Sequence, residues 1–208
     1  MFETIILIFF TMFIIIYKLV YKSRIVTVEA FDKIPYLVND LPDSQKAANI
    51  LARIMMTMNT LVNKTISDYD KYPDSNTEED HTYIKYIRTI KERIPYVKIS
   101  ESPLNSKFTS YSINKGEELV FCIRNKTNRN IHPLNELLYV SIHEIAHIGC
   151  PEIGHTELFR LINLYLLKKA VCYGLYFYID YFEDNKDYCG MTLTSTILPN
   201  KIFCNIRK

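Results

Sequence analysis

The pentapeptide His143-Glu144-Ile145-Ala146-His147 sets two imidazoles and a carboxylate where a helix would let them act together. Residues i and i+4 lie on one face of an α-helix, a turn apart, so His143 and His147 can reach a single cation. A catalytic zinc ion takes three protein ligands and keeps a fourth position open. Glu144, one step round from the first imidazole, can then work on water as a general base without ligating the metal. The third donor must come from outside the helix. His155 follows the stretch Gly149-Cys150-Pro151-Glu152-Ile153-Gly154, whose terminal glycines let it bend back toward the first two imidazoles. Glu152 and Glu157 are carboxylate alternatives, and a Cys150 thiolate would give the site a structural character. His155 is preferred, because imidazole is the commoner zinc partner at so compact a spacing. The bland reading is three polar groups satisfied by hydrogen bonds inside a core. It requires desolvating all of them within one short apolar stretch. His81 and His132 lack such company and read as surface or turn residues. Ser141 has no partner arrangement that would make it a nucleophile.

These residues need a buried helix to position them. Asn135 to Gly149 supplies one through Leu137, Leu138, Val140, Ile142, Ile145 and Ile148, with Pro133 and Asn135 at its start and Gly149 with Pro151 at its stop. A further helix is expected over Thr156 to Tyr173. Upstream, Ala47, Leu51, Ile54, Met58, Leu61 and Val62 recur at helical spacing and predict a helix near 43–64. Met55, Met56 and Met58 within it read as core filling rather than a metal box. Tyr69 to Glu79 reads as a loop, and acids from Glu78 open a second helix near 78–92. Tyr96 to Ile99 is a candidate strand. Phe108 to Ile113 and Leu119 to Ile123 flank the turn residues Asn114-Lys115-Gly116-Glu117, so a small antiparallel sheet should precede the motif helix. Met191 to Leu198 is a further candidate strand, in a C-terminal stretch from Tyr176 to which the sequence assigns no role.

Bulk properties narrow the setting. A chain of 208 residues, 48% apolar and 23% charged, can build one core. A net charge of +2, with its basic residues scattered, gives no footprint for nucleic acid. The five cysteines are odd in number and form no CxxC pair, which argues for reduced thiols rather than a disulfide scaffold. Ile5 to Ile16 is apolar apart from Thr11, and the flanking residues bring the stretch near bilayer-spanning length. No small-residue cleavage site follows it. Residues 1–23 are therefore expected to be a single-pass transmembrane anchor and 24–40 a linker. Residues 41–208 would form the domain, on the cytosolic side by the Lys18, Lys22 and Arg24 flank.

The string VSIHEIAHIGCPEIGHTELF, Val140 to Phe159, resembles the SprT/WLM group of zinc metallopeptidases, in which a helical HExxH is followed by a short turn and a GHxxxF-like setting. LVFCIRN and LPDSQKAANILARI upstream look similar to uncharacterised relatives in large DNA viruses. The resemblance implies an α+β, minimal zincin-like domain, with helices packed on a small sheet and the motif helix central. It carries zinc ligation to His143, His147 and His155 and general-base work to Glu144. Better-known members act in the nucleus on proteins crosslinked to DNA. The expected anchor and the lack of a basic tail keep that role from transferring. The expectation is a membrane-anchored zinc metallopeptidase acting on protein or peptide, at a viral or host internal membrane, with no nucleic acid partner. The alternative is a catalytically silent, zinc-stapled membrane interaction protein.

Overall fold

Hydrophobic periodicity builds the longest element. Ala47, Leu51, Ile54, Met58 and Leu61 share one buried face of α1 (Ser44–Lys71) in the computed structural model, which describes residues 6, 8–13, 24–202 and 204. The helix runs past the end that the apolar pattern suggests. Thr65 continues the buried face by bonding its hydroxyl to the Leu61 carbonyl at 2.7 Å, and Pro73 then stops the chain in a short 3-10 turn. α2 (Glu78–Arg93) starts with a capping box, in which Thr77 and Asp80 each accept from the other's backbone N–H. Its acids lie in the first turn and Lys91 and Arg93 in the last, matching the helix dipole. α3 (Leu134–Gly149) carries the motif, and α4 (Glu157–Cys172) follows, capped by the Thr156 hydroxyl. α3 packs against α1, α2 and α4 and touches the sheet, so it is the central helix.

The strands are β1 (Ile25–Glu29), β2 (Pro35–Asn39), β3 (Lys98–Glu101), β4 (Tyr111–Ile113) and β5 (Glu118–Phe121), in the order β1-β2-β3-β5-β4. One face of the sheet is covered by helices. In β2, Tyr36 and Val38 point inward and Leu37 outward. A separate hairpin, β6 (Lys186–Tyr188) and β7 (Met191–Leu193), stands apart from this sheet.

Several expectations are corrected here. The fold class included an N-terminal transmembrane helix. Among the described residues no helix is long and apolar enough to cross a membrane. Residues 6 and 8–13 are helical, and the rest of that expectation falls outside the described residues. The sheet is mixed rather than antiparallel: β2 pairs with β3 and β3 with β5 in parallel. α1 and α2 form the crossover between β2 and β3 that a parallel pair requires. Residues 24–40, read as a linker, contain the β1–β2 hairpin at one edge of the sheet.

The cysteines are not all reduced. Cys122 is bonded to Cys189 and Cys172 to Cys204, and Cys150 alone is a buried thiol. The partners stand 67 and 32 residues apart, so no local spacing announces them.

Candidate metal centre

Three elements converge on the motif. α3 presents His143 and His147 from one face, and residues 150–156 turn the chain back so that His155 stands over them. Gly154 takes φ +84°, a left-handed conformation that lets the turn reverse just before His155. Gly149 has a different task from the one its sequence position suggests. It remains helical, and a Cβ there would meet Ile90 Cγ1 at 2.8 Å and the Tyr86 carbonyl at 2.9 Å, so its small size lets α3 close on α2. The Arg93 guanidinium donates to the Ile148 carbonyl at 3.0 Å, satisfying one orphan carbonyl at the end of α3. Lys115, in the β4–β5 turn, donates to the Pro151 carbonyl at 2.7 Å and braces the 150–156 turn.

One ring nitrogen from each of His143, His147 and His155 lies within 4.8 Å of the others, an arrangement that could hold a metal ion. The Nε2 atoms of His143 and His155 are 3.0 Å apart, close to the roughly 3.3 Å separating two nitrogens on one tetrahedral zinc. Burial, then the neighbouring His147 and His155, holds His143 down to about 4. Burial, then His155, does the same for His147. Both are therefore neutral near pH 7, the form that donates a lone pair to a metal. Phe159 forms a floor under all three rings, stacked on His147 at 3.9 Å between centroids and edge-on to His143 and His155. The donor set and its spacing fit zinc.

Glu144 is 6% exposed, and burial pushes its carboxyl up to about 7. It lines, with the three histidines, a cleft of about 840 Å³. β4 forms one side of that cleft through Tyr111 and Ser112, and the β6–β7 hairpin another through Tyr188, Met191 and Leu193. The alternative ligands separate from the cluster. Glu157 is held by Arg160 in two bonds of 2.8 and 2.6 Å. Glu152 lines the cleft but is absent from the cluster, and Cys150 is buried elsewhere in the core.

Three tyrosines downstream of the motif differ in whether they reach the cleft. Tyr165 is buried and donates to Asp80 at 2.7 Å, and Tyr173 lies under the Lys64 ammonium; neither lines the cleft. Tyr188 does line it. Burial first, and Glu144 as well, raise its hydroxyl, which shares a 2.7 Å bond with Ser110.

The chain has relatives among viral proteins. It is 36% identical over 163 residues to the uncharacterized protein R325 of Acanthamoeba polyphaga mimivirus, covering 78% of this chain and 79% of that one. It belongs to the R325 family. Another relative is uncharacterized protein 136R of Invertebrate iridescent virus 6, 34% identical over 106 residues, 50% of this chain and 56% of that protein. Uncharacterized protein 042R of Invertebrate iridescent virus 3 is 39% identical over 67 residues, 32% of this chain and 42% of that protein. No model of an established protein family matches. Wss1 from Saccharomyces cerevisiae is similar among solved structures at 15% identity and a TM-score of 0.40, covering 64% of this chain and 84% of that one. That likeness is too slight to bear on function.

In this R325-family chain, the burial of two polar residues and one wall of the cleft were hard to read from sequence. His132 is not a surface histidine: it is 7% exposed, and its Nε2 accepts from the Cys189 N–H at 3.2 Å. Asn163 of α4 is 4% exposed and lines the cleft. Only its place one helical turn beyond Phe159 hints at that position. Of the β6–β7 wall the sequence indicates a strand from Met191, which ends at Leu193 rather than Leu198, and it gives no signal for β6, a strand of three residues too short to show a period.

Proposed function

We propose that this protein is a zinc-dependent metallopeptidase in which His143, His147 and His155 hold the metal and Glu144 is the general base. The reading rests on one observation above all: three imidazoles converge beside a buried carboxyl at the wall of an open cleft. The resemblance of Val140 to Phe159 to the SprT/WLM group points the same way.

Zinc, when bound, supplies a Lewis acid that makes water acidic and polarises a carbonyl. The three histidines fix that acid at the cleft wall, and Phe159 holds their rings in place. Glu144 takes a proton from the water that attacks the peptide carbonyl and delivers it to the leaving amine nitrogen. A carboxyl at about 7 is matched to both halves of that transfer near neutral pH. Tyr188 is the candidate second donor to the developing oxyanion, through a hydroxyl that would exchange Ser110 for substrate. A protein or peptide substrate lies along the cleft between β4 and the β6–β7 hairpin.

The test pairs metal content with hydrolysis. Glu144→Gln is expected to bind one zinc like the parent and to lose about 10²–10⁴-fold in peptide hydrolysis. His143→Ala should lose the zinc. Parent protein purified with zinc present but carrying none would sink the reading. So would a Glu144→Gln variant as active as the parent. Full zinc occupancy with no cleavage in a broad peptide screen would favour the silent, zinc-stapled interaction protein.

A further inference from the structure

Both disulfides close on the same stretch of chain. Cys189, directly after β6, is bonded to Cys122, directly after β5, and Cys204 is bonded to Cys172, the last residue of α4. Between Cys189 and Cys204 runs a strap whose residues 191–195 and Ile197 form one wall of the cleft. Little regular structure holds it. β6 and β7 pair with each other and not with the main sheet. Among the described residues no backbone–backbone hydrogen bond joins 194–200 to the body of the protein. Side chains dock it instead: Leu198 is buried, Ile197 and Ile202 pack on the core, and Asn200 accepts from the Tyr178 hydroxyl at 3.3 Å. Fixing both ends of such a segment limits how far it can leave the core.

We propose that this wall of the cleft is a redox-latched strap, seated when both disulfides are formed and released by a dithiol reductant. The two bonds differ in access. Cys204 is exposed, whereas Cys122 and Cys189 are buried, so the outer bond reacts first and the inner one becomes reachable as the strap loosens. In each step a thiolate of the dithiol attacks one cysteine sulfur, and its second thiol resolves the mixed disulfide. One S–S bond is lost from the protein and one forms in the reductant, and two electrons and two protons come to rest on the cysteine pair. The histidine cluster contains no cysteine, so reduction leaves the metal ligands intact. As control of hydrolysis the latch rests on the peptidase reading; as a property of the cleft it does not.

Limited proteolysis of the full chain with chymotrypsin, before and after dithiothreitol, tests it, with alkylation and mass spectrometry following each cysteine pair. Cutting within 191–198 should accelerate about tenfold or more on reduction, while α3 and α4 remain intact, and Cys172–Cys204 should open before Cys122–Cys189. Equal cutting of the strap in both states would overturn the latch. So would simultaneous cutting throughout α3 and α4, which would make the disulfides staples of the whole domain. The paired variants Cys172→Ser/Cys204→Ser and Cys122→Ser/Cys189→Ser repeat the digest without reductant and should reproduce the accelerated cut. In zinc-loaded protein the same variants should keep metal stoichiometry and lose about tenfold in hydrolysis. A parent that hydrolyses nothing would remove the peptidase reading, and the digest would still decide the latch.

Discussion

At residue 144 a carboxyl sits in low dielectric, and pH should report it. Burial raises Glu144 from 4.5 to about 7, so between those values the folded chain holds the proton more tightly than the unfolded one. The stability this confers is fully present below pH 4.5 and is lost as the pH rises through 7. His143 and His147 act in the opposite sense. Their folded values near 4 lie below the ordinary 6.5, so they cost stability as the pH falls from 6.5 toward 4. At pH 8 the histidines are neutral in both states and the full cost of the Glu144 charge remains. Metal-free Glu144→Gln should therefore exceed the parent in stability at pH 8 by on the order of 3 kcal/mol, and the gap should close toward pH 5. Urea midpoints in a chelator at the two pH values check this. No gain at pH 8 would mean that the carboxylate is solvated.

At the scale of elements, the position of α3 depends on how closely it approaches α2. Gly149 permits that approach, and Gly149→Ala would force a methyl group against Ile90 and the Tyr86 carbonyl. The expected loss is about 1–3 kcal/mol, read as a lower urea midpoint. Zinc stoichiometry should stay that of the parent, because the displaced end of the helix lies beyond His147. A variant as stable as the parent would mean that α2 gives way without cost. The helices were legible from their 3.6-residue period, and the hairpin turn at Asn114 to Glu117 from its turn residues. The sheet was less so. β1 and β2 are short and half-exposed, and strand direction depends on which neighbours meet, which no single strand encodes.

Across the whole molecule, one buried cation joins distant segments. Arg124, 4% exposed, donates to Glu101 at the end of β3 and to Asp43 at the start of α1, each at 2.7 Å, and to the Arg129 carbonyl at 3.1 Å. Glu101 also accepts from the Asn39 backbone N–H of β2 at 2.8 Å. Removing the guanidinium leaves a buried carboxylate without its cation. Arg124→Met is expected to cost about 3–5 kcal/mol, whereas Arg124→Met with Glu101→Leu should recover most of the loss. Thermal melts of the two variants against the parent decide it, and equal destabilisation in both would show that the ion pair is not the reason for the burial.

The sequence by itself determined which polar side chains share one face of α3. His143, Glu144 and His147 are spaced by the helix that carries them, and the apolar residues between them bury that helix. Local periodicity is written in consecutive residues, so it can be read without a fold. Tertiary structure decided which third donor joins the cluster, which tyrosines border the cleft and what encloses it. It also decided which cysteines meet. Those are contacts between residues far apart in the chain, set by how the elements pack, and no window of sequence contains both partners.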